Sequence, residues 1–188
     1  MTIDLHQFAE AFPLRDGTSA LLRAIRPDDR DRLQAAFRAL EPESVYLRYF
    51  SYKHELTEAD LDRLCNPDFR ERVVLVVTLG AGDAEVIIGS GGYVAHAAAH
   101  GERVAEVAFA VEEDVHGQGI STHLLAVLAD IARADGIVRF EAEVLARNTP
   151  MLQVFAHSGL PMTQAPEEDG VVSLSLSLAQ PSPAAASR

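Results

Sequence analysis

The turn His116-Gly117-Gln118-Gly119-Ile120-Ser121-Thr122 stands between an apolar run, Val104 to Val111, and apolar residues at helical spacing, Ile120, Leu124, Leu125, Leu128 and Ile131. A strand that passes through a glycine-punctuated turn into a helix leaves the first helical N–H groups unpaired. Those groups, and the positive end of the helix dipole, converge on one point. That point suits a phosphate, or better a pyrophosphate. Upstream, Glu106 is the only charged residue between Val104 and Val111. Both faces of this strand are otherwise apolar, so the strand is expected to be central. A carboxylate buried there without a partner would cost several kcal/mol. Glu106 is therefore expected to face a partner, a water channel or a cleft. Burial would raise its pKa towards the range of a useful general base. The structural alternative is a carboxylate that pairs an arginine.

Two phosphate-binding signatures do not fit. A P-loop needs a lysine directly after its last glycine, and the only lysine of this chain is Lys53. A dinucleotide fingerprint needs a third glycine where Thr122 stands. It would also need more βα units than the roughly 65 residues after the turn can hold.

His116-Gly117-Gln118-Gly119-Ile120-Ser121 resembles the acetyl-CoA pyrophosphate loop of the GNAT superfamily of N-acetyltransferases, Gln/Arg-x-x-Gly-x-Gly/Ala. Gly119 matches the central glycine. His116 replaces the usual Gln or Arg, and Ser121 the usual Gly or Ala. Both changes are tolerable where backbone N–H groups make the phosphate contacts, and the serine hydroxyl could add a donor.

Leu14-Arg15-Asp16-Gly17, Leu22-Arg23-Ala24-Ile25-Arg26-Pro27-Asp28-Asp29 and Glu43-Ser44-Val45-Tyr46-Leu47-Arg48-Tyr49-Phe50 are similar to the start of one bacterial subgroup. That subgroup is the protein-lysine acetyltransferase type, known as free-standing domains and fused to nucleotide-binding domains. The flanks here are short, so a free-standing catalytic domain is expected. The resemblance implies acetyl-CoA as co-substrate and a primary amine as acceptor. A protein lysine leads, such as that of an acyl-CoA synthetase, and a small amine follows. Gly117 to Thr122 would hold the pyrophosphate, with His116 a candidate contact. Backbone groups of Phe109, Ala110 and Val111 would place and polarise the thioester. Glu106 would act as general base, through water. Asn148 aligns with the family asparagine that contacts the CoA arm, and it also reads as a plain helix N-cap. Many members protonate the leaving thiolate with a tyrosine of the last helix, where this chain has Phe155. Tyr46, Tyr49, Tyr52 and Tyr93 read as packing residues. Direct attack in a ternary complex is expected, because no activated nucleophile is evident.

These groups need a scaffold, and the pattern supplies one. Residues 1–13 read as a loosely attached lead-in. Thr18 to Ile25 is a first strand. Arg26-Pro27-Asp28-Asp29 opens a helix, with proline and acids in its first turn. Pro42 starts a second helix, and Thr57-Glu58-Ala59-Asp60 caps a third. Strands follow at Val73 to Leu79, Glu85 to Ala95 and Val104 to Val111. The helix after the phosphate turn ends at Gly136. Val138 to Val144 is a strand, Asn148 and Pro150 open the last helix, and Val171 to Leu178 is the last strand. The order β-α-α-α-β-β-β-α-β-α-β implies an α/β (α+β) domain over residues 14–178. It predicts one mixed, mostly antiparallel sheet with helices on both faces, which is also the order of the GNAT fold. Residues 179–188 are too poor in large apolar side chains to fold.

Composition agrees. The chain has 188 residues, 48% of them hydrophobic, with a formal net charge of −12. That length supports one domain with a good core. The acidity disfavours a nucleic-acid binder. It would draw in amines and basic peptides by long-range steering, or it only maintains solubility. Cys65 is the single cysteine, which leaves no intramolecular disulfide and reads as a packed thiol. No signal peptide or membrane span is apparent, so a cytoplasmic protein is expected. His96 and His100 are four residues apart, but they fall at a strand end without a third ligand, so no metal is expected. His123 is expected to face solvent. The competing class is a catalytically silent acyl-CoA-binding module, for which the altered loop and the missing tyrosine leave room.

Overall fold

The structure, a computed structural model, describes residues 5–49 and 51–179. The chain begins with two strands, β1 (Ala9–Pro13) and β2 (Ser19–Ala24). Three helices follow, α1 (Arg30–Ala39), α2 (Pro42–Tyr49) and α3 (Glu58–Cys65). Then come β3 (Arg72–Leu79), β4 (Val86–Ala97) and β5 (Arg103–Val111), the long helix α4 (Ile120–Ala134), and β6 (Arg139–Leu145). The last elements are α5 (Thr149–Ala156), β7 (Met162–Gln164) and β8 (Val171–Ser177). The strands form one eight-stranded sheet in the order β1-β2-β3-β4-β5-β6-β8-β7. Every neighbouring pair is antiparallel except β5 and β6.

Strand β3 explains the two-faced packing. Its run of valines and leucines suits a pleated strand buried on both sides. Val73, Leu75 and Val77 enter one core, with α4 and α5. Val74 and Val76 enter a second, with α1 and α3. Each such side chain contributes about 1.5–3 kcal/mol when fully buried. Helix α4 turns Leu124, Leu125 and Leu128 onto the sheet, the apolar stripe expected from their spacing. Thr57 caps α3 by accepting from the Asp60 N–H, with the Asp60 carboxylate returning the bond.

Two strands escape the pattern reading. Residues 9–13, read as part of a loose lead-in, pair with β2 from Ala9↔Arg23 to Pro13↔Ser19. Strand β7, three residues long, pairs with β8. Both are short edge strands, where periodicity carries little signal. The tail from Gln180 onward lies outside the described residues. Among the described residues, no helix is long and apolar enough to cross a membrane.

An ion cluster anchors the start of α1. Arg23 and Asp29 are both buried, at 1% and 0% exposure. Arg23 donates to both carboxylate oxygens of Asp29, at 2.7 and 2.8 Å, and through Nε to Glu85 at 2.9 Å. This ties β2 and the entry to β4 to the turn that opens α1.

Candidate active site

The sheet forks at its centre. Strands β5 and β6 pair only over Val104↔Arg139, Ala105↔Phe140 and Glu106↔Glu141. Beyond Glu106, β5 stays paired with β4 as far as Val111, while β6 stays paired with β8 as far as Leu145. The two half-sheets part at Glu106. The Glu112 N–H donates to the Ile88 carbonyl of β4. Because antiparallel pairs alternate, Ala110 is also bonded into β4, while the N–H groups of Phe109 and Val111 point away from β4 into the gap. Of the three residues expected at the thioester, the register leaves Phe109 and Val111 with free donors and occupies Ala110.

Glu106 sits at the fork but is exposed rather than buried. The expected burial is corrected for a simple reason. β6 diverges here, so the central strand is open at this point. Of the partner, water channel or cleft expected beside Glu106, the structure places a cleft. Among the described residues its carboxylate has no ion-pair or hydrogen-bond partner. Glu106, Ala108, Ala110 and Glu112 line one wall of a cleft, and Leu33 and Phe37 of α1 and Tyr49 of α2 line the opposite one. Glu106 also borders a second, polar depression with Glu141, Glu143 and Ser175. Neighbouring Glu141 is paired with Arg139 at 3.1 Å. Half-buried Glu112 has its pKa raised, by burial first and then by Asp114 and Glu113.

The phosphate turn stands where β5 ends. Gly119 is the N-cap of α4 at φ 88°, and Gly117 has φ 76°, backbone shapes that glycine adopts without strain. Among the described residues, the N–H groups of Gly117, Gly119, Ile120, Ser121 and Thr122 have no acceptor. They form a donor-lined concavity at a helix N-terminus. Glycines in β4 let α4 come close enough to deliver it. A Cβ on Gly91 would lie 2.6 Å from the Phe109 ring, and one on Gly89 would lie 3.1 Å from Ile120.

The remaining predicted residues divide. His116 is exposed, and its ring Nε2 lies 2.9 Å from the Val111 carbonyl, so the imidazole closes the turn. Gln118 accepts the Asp16 N–H on its side-chain oxygen at 3.1 Å. Asn148 caps α5 by accepting from the Met151 N–H at 3.3 Å. Its amide donors remain for other partners. Phe155 is buried, with its ring 6.0 Å from that of Phe109, so α5 offers no hydroxyl there. His123, expected to face solvent, is half-buried, its side chain 32% exposed. Its ring stacks on Phe12 at 4.2 Å and lies 2.7 Å from a Glu10 carboxylate oxygen, because β1 covers that side of α4. Cys65 is buried, and burial pushes its thiol up to about 11. His96 lies 3.6 Å from Glu141. Among the described residues, no group of three or more His, Cys, Asp or Glu side chains could hold a metal.

Sequence reasoning missed the β1–β2 turn as part of the site. Arg15 donates to the Gly117 carbonyl at 2.8 Å, and the Arg15 N–H reaches the Gln118 carbonyl at 3.4 Å. The signal was present. Asp16-Gly17 lies between Ala-Glu-Ala-Phe and Ser-Ala-Leu-Leu, two alternating runs that read as a hairpin.

Comparisons with known proteins point the same way. The family model for the acetyltransferase (GNAT) domain matches residues 20–161. Acetyltransferase Pat of Mycolicibacterium smegmatis is 32% identical over 146 residues, covering 78% of this chain, which spans 42% of that relative's length. Acetyltransferase PA5475 of Pseudomonas aeruginosa is 27% identical over 155 residues, 82% of each chain. The crystal structure of the GNAT domain of S. lividans PAT superposes with a TM-score of 0.80 at 35% identity, over 90% of this chain and 96% of that one. A forked sheet, a donor-lined turn at the end of its central strand and a matching family model over most of the length lead to one conclusion: the chain belongs to the GNAT acetyltransferase family.

Proposed function

We propose that this chain transfers the acetyl group of acetyl-CoA to a primary amine, with a protein lysine as the leading acceptor and Glu106 as general base. One observation carries the reading. An unpaired carboxylate stands where β5 and β6 part, facing a cleft, on the strand that ends at the phosphate turn.

The chemistry follows from the geometry. Acetyl-CoA enters as substrate, its diphosphate at the N–H groups of residues 117 and 119–122 and its arm in the gap between the strands. The free N–H groups of Phe109 and Val111 are the donors for the thioester oxygen, which gains negative charge as the amine adds. The acceptor arrives as an ammonium ion. The apolar wall of Leu33 and Phe37 suits a lysine stem, and the carboxylates of Glu106 and Glu112 favour its charged head. Glu106 takes a proton from the ammonium through water, and the neutral amine attacks the thioester carbon. The adduct nitrogen releases its second proton to solvent, and the C–S bond breaks to give the amide and CoA thiolate. Phe155 cannot supply a proton, so the thiolate takes one from solvent. The resemblance to the lysine-modifying subgroup supports a protein acceptor.

The test is Glu106→Gln in a thiol-release assay with acetyl-CoA and lysine-containing proteins, peptides and small amines. Removing a general base lowers turnover by roughly 10²–10⁴-fold, while calorimetric binding of acetyl-CoA persists. A parent protein that binds acetyl-CoA but turns over no amine would favour the silent binding module. A parent that acetylates only small amines would remove the lysine assignment.

A further inference from the structure

The phosphate turn carries little positive charge of its own. Three acids, Glu112, Glu113 and Asp114, stand directly before it. Gln118 is neutral and its oxygen is held by the Asp16 N–H. The His116 ring is tied to the Val111 carbonyl, and His123 to Glu10. The only lysine, Lys53, pairs with Asp60 at the start of α3. A diphosphate approaching an acidic protein of net charge −12 therefore needs a cation from elsewhere.

Arg15 meets that need. It projects from the β1–β2 turn, whose Leu14–Thr18 hydrogen bond and positive-φ Gly17 fix its path. Its Nη1 donates to the Gly117 carbonyl, and its Nε lies 3.8 Å from where a Cβ on Gly119 would stand. Bonding the Gly117 carbonyl holds that oxygen away from an anion and leaves the neighbouring N–H groups presented. The same guanidinium keeps further N–H donors at the rim of the turn, since it has five in a planar fork. Arg15 is exposed, so an anion reaches it without rearrangement.

We propose that Arg15, supplied by the β1–β2 turn, is the diphosphate-binding cation of this acetyltransferase, replacing the positive charge that its own loop lacks. The inference rests on the acetyl-CoA reading of the turn. It assigns the first hairpin a role in substrate binding as well as in closing the sheet edge.

The experiment titrates the full chain and its Arg15→Gln, Arg15→Lys and Arg15→Ala variants with CoA and with 3′-dephospho-CoA, at low and high salt, beside thermal melts and steady-state kinetics. Glutamine keeps a donor for the Gly117 carbonyl but loses the charge. Arg15→Gln and Arg15→Ala are expected to weaken CoA binding about tenfold, the scale of one charge-assisted phosphate contact at an exposed site. Arg15→Lys recovers part of the loss. The KM for acetyl-CoA rises in parallel while kcat at saturation and Tm stay at parental values. The parent loses more affinity with salt than Arg15→Gln does. Dephospho-CoA gives the same ratio between parent and variant, which locates the contact at the diphosphate. Parental affinity in Arg15→Gln would overturn the assignment, as would a loss seen with CoA but absent with dephospho-CoA. A drop in affinity matched by a drop in Tm would reduce Arg15 to a structural clasp. A parent that binds neither ligand would instead sink the acetyl-CoA reading, and this inference with it.

Discussion

Asparagine at position 29 should loosen the way α1 is held over the cleft. The Asp29 carboxylate accepts two bonds from Arg23 and one from the Arg26 N–H at 2.8 Å, at a fully buried position. Asp29→Asn turns an amide NH₂ towards a guanidinium, so donor meets donor inside the protein. Breaking one side of a buried ion pair costs about 3–5 kcal/mol. Arg23 still has Glu85, which sets the expectation near the lower end, ~3 kcal/mol. For a chain of this size that lowers Tm by roughly 6–12 °C. Burial alone would raise the pKa of Asp29, but the bonds and charge of Arg23, with the Arg26 N–H, outweigh it and hold the pKa below the usual carboxylate value. The stabilisation is therefore complete above the unfolded value of about 3.9 and is lost as pH falls through the lower folded value. Urea unfolding followed by circular dichroism should give the full gap between parent and variant at neutral pH. In acid the gap should close. Replacing both partners, Arg23→Met with Asp29→Leu, should restore much of the loss. Helix α1 begins at Arg30 and its Leu33 and Phe37 wall the cleft, so acceptor KM should rise more than acetyl-CoA KM. A neutral-pH gap under ~1 kcal/mol, the worth of a surface pair, would refute this account, and so would a gap that acid leaves unchanged.

Gly119→Ala sets its Cβ at an ordinary 3.8 Å from Arg15 Nε but must hold φ near 88°, a strain of roughly 1–2 kcal/mol. Calorimetry should show weaker acetyl-CoA binding with little change in cleft chemistry. Gly91→Ala places a Cβ 2.6 Å from the Phe109 ring, and overpacking of about 1–3 kcal/mol should appear as a lower Tm and a displaced α4. Asn148→Ala removes the α5 cap, about 1 kcal/mol by denaturation. A rise in acetyl-CoA KM beyond that would identify a second contact with the CoA arm. Glu112 has a raised pKa, so its charged form is disfavoured in the folded protein. Glu112→Gln should accordingly raise Tm at neutral pH, and the gain should vanish as pH falls and the parental carboxyl protonates.

Local chemistry was legible in the residues alone. Gly117 and Gly119 between an apolar strand and a helical stripe announced a turn that leaves helix N–H groups unpaired, because such turns depend on backbone shape that glycine spacing reports. The Thr57 and Asn148 caps, the glycine after α4 and the strand β3 were equally local, and each lies where the pattern put it. The lone charge in an apolar strand singled out Glu106 as a residue that must face a partner, a water channel or a cleft. Its solvent exposure was not readable, since that depends on where β6 stops pairing with β5, a property of two strands distant in sequence. His123, expected to face solvent, is only partly exposed for the same reason, because β1 comes from the other end of the chain to meet it. Arg15 shows the limit most clearly. Its neighbours in sequence describe a hairpin turn, and only the folding of that hairpin onto a loop 102 residues away sets it against the glycine turn. Periodicity and caps are decided within a few residues, whereas a fork, a shared cleft and a borrowed cation arise only when separate segments meet.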